Sequence, residues 1–202
     1  MNILTDKLPK KIKINDNIYD INYDYKTIIR ILIAFEDIEL TKEEKAYILL
    51  KNLYKTEIPE EDIEQALIKG IKFIDGGETM ENEPAHEKRV YSFTKDSKFI
   101  FSGISQTHSI DLSEKEDLHW WVFLSLFMDM SPDCTFGELV YYRKRKNENK
   151  LTKEEKEQYR KIKKIVDLDD FNEQDEESRK ARKEFFKIYR ENKEKLNKKW
   201  GG

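Results

Sequence analysis

The feature that most constrains the fold of this chain is a helix-start pattern that occurs three times. Each time, a Ser or Thr is followed three residues later by Glu: Thr41 and Glu44, Ser113 and Glu116, Thr152 and Glu155. In such a capping box the hydroxyl and the carboxylate satisfy backbone amides that have no partner within the helix. Apolar residues at three- and four-residue spacing recur along the chain. A mainly α fold is therefore predicted.

The apolar spacing predicts a multi-helix bundle. We expect helices over residues 24–38, 42–54, 59–74, 95–107, 114–130, 136–145 and 153–166. Asp24 is placed to cap the first of these helices. On the second helix, Tyr47, Leu50 and Tyr54 fall on one stripe. Residues 89–93 are expected to form a short extended piece.

Residues 11–22 differ from the rest because their apolar side chains alternate with polar ones. Ile12 and Ile14 alternate with lysines, and a turn cluster follows at residues 15–17. This pattern predicts a small N-terminal β-hairpin. An isolated hairpin is marginally stable in water, so we expect it to pack on the helix over residues 24–38.

The most apolar segment, residues 120–128, carries apolar side chains around most of its predicted helix. Such a helix is buried on all sides or faces another subunit. Nine residues are too few to cross a bilayer, which needs about 20. Four large side chains are therefore expected in the core or in a self-association interface: Trp120, Trp121, Phe123 and Phe127.

The end of the chain is predicted to be separable from the helical body, giving a domain of residues 1–170 and an extension of residues 171–202. The extension begins in an acidic connector, and residues 178–200 continue as a basic amphipathic helix. The apolar stripe of this helix either docks on the body or binds a helical partner, and we favour the partner. The candidate partner-binding residues are Phe185, Phe186, Ile188, Tyr189, Leu196 and Trp200.

Charge is distributed unevenly along the chain. Residues 143–202 hold 21 Lys and Arg against 14 Asp and Glu, whereas residues 1–142 hold 17 against 27. This asymmetry suits a basic partner-binding tail or head-to-tail self-association. The two tyrosines and four bases of residues 141–146 could grip nucleic acid, but a helix C-terminus also favours cations. We favour the helix end, since an isoelectric point of 5.8 argues against a dedicated nucleic-acid binder.

No residue pattern points to catalysis or metal binding. His86, His108 and His119 have no metal-ligand spacing, and Cys134 is the single cysteine. Phosphate-binding and nucleophile motifs are missing from the sequence as well. We therefore expect a non-enzymatic protein with no catalytic residue, no cofactor and no metal. The lone cysteine and a charged N-terminus without an apolar stretch favour the cytoplasm.

Several short motifs occur in an order that resembles one protein family. Residues 4–9 read LTDKLP and lead into the hairpin, residues 89–93 read RVYSF, and residues 118–121 read LHWW. Tyr142 and Arg143 follow, then a Lys-rich helix. This order resembles the phage gene product fifteen family, which is encoded in the tail modules of long-tailed phages and prophages of Gram-positive bacteria. The similarity covers about residues 1–170.

The resemblance implies a tail assembly chaperone. Members of the family are encoded between the major tail protein and the tape measure protein. The implied role is to bind the long, helical tape measure protein before the tail tube forms, in the host bacterial cytoplasm. The chaperone is then absent from the mature virion. The tape measure protein is the expected partner, with the major tail protein and a second copy of the chain as further candidates.

Two other functions remain open on the sequence. A nucleic-acid or regulatory binding protein would use the basic residues 143–199, and its affinity would depend strongly on salt. A structural tail connector would instead be present in purified virions.

Overall fold

Seven α-helices and one β-hairpin make up the described residues, 2–77 and 88–168, of the computed structural model. The fold is mainly α, as predicted. The described residues fall into two compact units, residues 2–77 and residues 88–168. The predicted domain of residues 1–170 encloses both units, and its boundary near residue 170 stays a prediction.

The predicted hairpin is present in the first unit. Strands β1 (Lys11–Ile14) and β2 (Asn17–Asp20) pair antiparallel over four residue pairs. Asn15 in the turn has a φ of 51°, the left-handed conformation that tight hairpin turns require and that Asn tolerates. Ile12 and Ile14 are buried, so one face of the hairpin belongs to the core.

Three helices complete the first unit: α1 (Tyr25–Glu36), α2 (Lys42–Leu53) and α3 (Ile63–Ile74). A short 3-10 helix, Glu60–Asp62, precedes α3. Helix α2 packs on both α1 and α3, and β1 lies against α3. The expectation that α1 is the main support of the hairpin is therefore wrong.

Side-chain caps set the starts of the first two helices. Asp24 accepts a hydrogen bond from the Thr27 amide, and Thr41 and Glu44 form the predicted capping box. Of the predicted stripe of α2, Tyr54 is buried, whereas Tyr47 is 60% exposed. Leu49 and Leu53 are also buried, because α2 lies between two helices.

Four helices form the second unit: α4 (Ser97–His108), α5 (Trp120–Met128), α6 (Thr135–Asn147) and α7 (Lys153–Val166). Helix α4 packs on α5 and α6, and α6 packs on α7. The capping box that begins α7 is present as predicted. The expected extended piece at residues 89–93 is not a strand; it runs irregularly into a turn before α4.

The predicted start of α5 is wrong by six residues. Ser113 and Glu116 do not form a capping box, because Asp111 Oδ1 accepts hydrogen bonds from both the amide and the hydroxyl of Ser113. A 3-10 helix, Leu112–Glu114, forms there instead. Helix α5 begins at Trp120, with His119 as its cap.

Residues 78–87 and 169–202 lie outside the described residues. The C-terminal prediction falls there, including all six candidate partner-binding residues from Phe185 to Trp200. None of the described helices is both long enough and apolar enough to cross a membrane.

Candidate functional site

The large side chains of α5 form the core of the second unit. Trp120, Trp121, Phe123 and Phe127 are each at most 8% exposed. The rings of Trp120 and Phe123 stack with 5.6 Å between centroids, and Phe127 lies 5.4 Å from Phe93. These four rings therefore pack inside the second unit and are not part of its surface.

A buried ion pair joins α6 to the turn before α4. Arg143 is 3% exposed and Asp96 is fully buried. The contact is bidentate: Nη1 donates to Asp96 Oδ2 at 2.6 Å, and Nη2 donates to Oδ1 at 2.8 Å. This fork geometry matches a carboxylate closely and gives the strongest type of charge-assisted hydrogen bond.

The remaining donors of Arg143 bind backbone carbonyls. Nε donates to Val166 at 2.5 Å, Nη1 to Val90 at 3.0 Å and Nη2 to Ile165 at 3.2 Å. All five N–H groups of the guanidinium therefore have acceptors. Arg143 ties the beginning of the second unit and the end of α7 to the middle of α6.

Two of the motifs that carry the family resemblance build this core. In RVYSF, the Ser92 amide donates to Asp96 Oδ2 at 2.9 Å, and the ring of Tyr91 lies 5.0 Å from that of Phe127. In LHWW, His119 Nδ1 accepts a hydrogen bond from the Trp121 amide at 3.1 Å. These motifs thus fix the architecture of the second unit.

The basic cluster of residues 141–146 is largely engaged within the second unit. Tyr141 donates to Glu155 Oε1 at 2.6 Å, and Arg145 Nε donates to Glu155 Oε2 at 3.0 Å. Lys146 pairs with Asp167 at 2.6 Å. The hydrogen bond from Tyr141 is the main cause that lowers the pKa of Glu155, followed by that from the Thr152 amide. The cluster joins α6 to α7, which agrees with the helix-end interpretation.

A second buried carboxylate organises the first unit. Asp62 accepts hydrogen bonds from Tyr19 Oη at 2.6 Å, Asn15 Nδ2 at 2.6 Å and Asn17 Nδ2 at 3.0 Å. Hydrogen bonds from Tyr19 and then Asn17 lower the pKa of this carboxyl. Asp62 thereby holds the hairpin turn on the start of α3, which explains why α3 supports the hairpin.

The histidines and the cysteine have structural roles wherever they are described. No group of three or more His, Cys, Asp or Glu that could hold a metal lies within residues 2–77 and 88–168. His108 Nε2 lies 2.9 Å from the Leu126 carbonyl oxygen. Cys134 is buried, and its Sγ accepts a hydrogen bond from the Gly137 amide at the start of α6.

Exposed apolar side chains on the helical faces are the remaining candidates for binding. In the first unit, Ile33 on α1, Ile38 after α1 and Tyr47 on α2 form what we term apolar set 1. In the second unit, apolar set 2 consists of Phe101 on α4 with Val122 and Met128 on α5. Met128 is 75% exposed. Large apolar groups that face water singly are common, so each set is defined by the exposure of its members and not by contact between them.

Comparison with known proteins assigns the family. The family model for the bacteriophage Gp15 protein matches residues 4–168. The chain belongs to this family. Neither the curated proteins nor the solved structures gave a match. The Gp15 match covers both compact units and ends two residues after α7, so the candidate residues from Phe185 to Trp200 lie beyond it.

Sequence reasoning named Arg143 of this Gp15 protein only as part of a motif and missed its role as a buried ion-pair partner. A signal was present: Phe136, Leu139 and Arg143 follow one another at spacings of three and four, which places them on one helix face. All three are buried. The partner, Asp96, lies far away in sequence, and no local pattern connects it to Arg143.

Proposed function

We propose that this Gp15 protein is a phage tail assembly chaperone that binds the tape measure protein during tail morphogenesis and is absent from the mature virion. Membership of a phage family over residues 4–168 carries the proposal. The proposed role is binding without catalysis, and it takes place in the host bacterial cytoplasm.

The physical need for such a protein follows from the shape of its partner. A long amphipathic helix exposes apolar surface along its whole length until the tail tube encloses it, and surface of that kind aggregates unless it is covered. A helical protein with scattered apolar side chains among charged ones can cover one stretch of the partner. Apolar sets 1 and 2 supply such side chains.

The exposed side chains also suit a reversible complex. The four rings of α5 lie in the core, and the large apolar side chains of α5 that are exposed are Val122 and Met128. Affinity in protein interfaces depends mostly on a few large buried anchors. Modest affinity per copy allows the tube protein to displace the chaperone, and several copies on one tape measure chain keep it soluble.

Co-expression with fragments that tile the tape measure protein tests this proposal. An otherwise insoluble fragment should move to the soluble fraction and co-purify with the full-length chain. Failure of every fragment would contradict the chaperone role. Mass spectrometry of purified virions separates it from a structural connector, because a connector remains in the particle.

Paired surface variants test the proposed contact surfaces. Ile38→Ser with Tyr47→Ser, or Phe101→Ser with Met128→Ser, should weaken binding by about tenfold or more, since about 1.4 kcal/mol corresponds to each factor of ten. Their stability should stay near that of the native chain because the sites are exposed. Glu39→Ser with Glu43→Ser is the matched control and should bind normally. Undiminished binding by both apolar variants would exclude these two surfaces.

A further inference from the structure

One face of α7 carries a row of exposed cations. The row consists of Lys153, Lys156, Arg160, Lys163 and Lys164, which we term the basic stripe. Steps of three and four residues place them on one side of the helix. The opposite side packs on α6 through residues that include Val166, which is fully buried.

Three of the five cations in the basic stripe form no ion pair within the described part of the chain, whereas Lys163 lies close enough to Asp167 to help lower the pKa of that carboxyl. No acid described there lies within ion-pair distance of Lys153, Lys156 or Arg160. Glu155 is turned towards α6, where it binds Tyr141 and Arg145. Exposed Glu157 lies at the edge of the stripe. A row of cations this dense repels itself unless an anionic group lies nearby.

We propose that the basic stripe is the docking surface for the acidic segment of the same chain, residues 169–177. This segment reads DDFNEQDEE and holds six acids and no base. It follows directly in sequence on Leu168, the last described residue, and Lys163 and Lys164 are the C-terminal members of the stripe. The inference goes beyond the proposed function and does not depend on it.

Length and tethering favour this occupant. The stripe spans about 16 Å along α7, at 1.5 Å per residue. Nine extended residues reach up to about 30 Å, so the segment is long enough to cover it. A short tether gives an effective concentration on the order of millimolar, which a free polyanion or a second copy must exceed.

Nucleic acid fits the stripe less well. Single-strand binding normally combines cations with aromatic rings on which bases stack. The aromatic ring of α7, Tyr159, is half-buried, and its hydroxyl is already engaged, donating to Asp167 Oδ1 at 2.6 Å.

Zero-length carbodiimide cross-linking of the dilute full-length protein tests the contact directly. We expect intramolecular amides that join Lys153 or Lys156 to an acid within residues 169–177, identified by mass spectrometry. Cross-links confined to Lys163 and Lys164 would mean that the segment leads away from the stripe and would overturn the inference. Cross-links found only in covalent dimers would overturn it as well, because the occupant would then be a second copy.

Competition with a polyanion gives a second test in the full chain. Asp169, Asp170, Glu173, Asp175, Glu176 and Glu177 are changed together to their amides, and binding of labelled oligo-thymidine is measured. Uncovering the stripe should tighten binding at least about tenfold, because apparent affinity scales with the accessible fraction. Adding Lys153→Gln, Lys156→Gln and Arg160→Gln should abolish that gain. Equal affinity before and after removal of the acids, or a gain that survives loss of the stripe, would overturn the inference.

Discussion

A guanidinium inside a protein has five N–H groups to satisfy, and Arg143 satisfies them with one carboxylate and three carbonyls. Such an arrangement tolerates no partial loss. Removing either charge leaves the other buried and unpaired, which costs far more than the pair itself contributes. The ion pair and its carbonyl acceptors therefore hold together α6, the chain before α4 and the end of α7.

We predict that Arg143→Met and Asp96→Asn each lower the free energy of unfolding by about 3–5 kcal/mol. Arg143→Lys should not rescue stability, because an ammonium group lacks the planar fork. Chemical denaturation measures all three variants. Arg145→Met is the matched control: its pair with Glu155 is partly exposed, and its loss should cost about 1 kcal/mol or less. Equal losses at positions 143 and 145 would contradict the assigned role.

Asp62 predicts a pH dependence in the first unit. Hydrogen bonds from Tyr19 and Asn17 hold its folded pKa below the unfolded value of about 3.9. The ionised carboxyl therefore stabilises the fold above about pH 4, and this contribution is lost as the pH falls through the lower folded pKa. Unfolding free energies measured from pH 7 down to pH 3 should fall less steeply for Asp62→Asn than for the native chain.

The same measurement on two tyrosine variants controls for other carboxylates. Tyr19→Phe removes the hydrogen bond that lowers the pKa of Asp62 most. Its unfolding free energy should also fall less steeply between pH 7 and pH 3. Tyr47→Phe removes a hydroxyl from an exposed ring and should leave the pH dependence of the unfolding free energy unchanged. The same pH dependence in the native chain and in all three variants would contradict the role of Asp62.

At the scale of elements, local patterns predicted helix starts wherever the cap is purely local. The capping boxes at Thr41 and Thr152 formed as predicted because hydroxyl and carboxylate lie within one turn. The box at Ser113 failed because Asp111, two residues earlier, captured the hydroxyl. Pattern alone could not decide between these two partners, since both lie within reach of the same side chain.

The start of α6 depends on a glycine. A Cβ at Gly137 would lie 2.5 Å from the Pro132 carbonyl oxygen and 2.7 Å from its Cα, and backbone cannot move aside as a side chain can. We predict that Gly137→Ala destabilises the protein by about 1–3 kcal/mol despite the better helix propensity of Ala. Thermal and chemical denaturation measure the effect.

Gly103→Ala is the comparison within the same unit. There the nearest atom to a new Cβ is Met130 Sδ at 2.9 Å, the sulfur of a flexible side chain. The gain in helix propensity, about 1 kcal/mol, should offset much of the contact, so the net change should be smaller than at Gly137. A larger loss at Gly103 would show that Met130 cannot adjust.

At the scale of the whole molecule, composition and periodicity predicted the mainly α class, the hairpin and the apolar α5. They could not predict the division into two units, because that depends on contacts between residues distant in sequence. They also could not reveal the Arg143–Asp96 pair, since two charged residues 47 positions apart look like surface residues until packing buries them. Hydrophobic periodicity shows which face of a helix is buried, but it does not show which other element packs against that face.

Truncation after Asp170 tests the predicted separation of the C-terminal extension. The contacts of Asp167 with Lys146 and Tyr159 stay intact, so the shortened chain should keep the melting temperature of the full one. If residues from Phe185 to Trp200 bind the partner, its affinity for a tape measure fragment should fall. Unfolding of the shortened chain would instead assign the extension to the core. Binding at full strength would place the contact surface within residues 1–170.

The carbonyls of Val90 and Val166 bind one guanidinium, so the chain enters and leaves the second unit at the same place. A folded unit whose ends coincide puts little strain on whatever chain flanks it, which is why insertions and permutations succeed at such points. The second unit therefore has the end-to-end geometry that insertion into another chain requires.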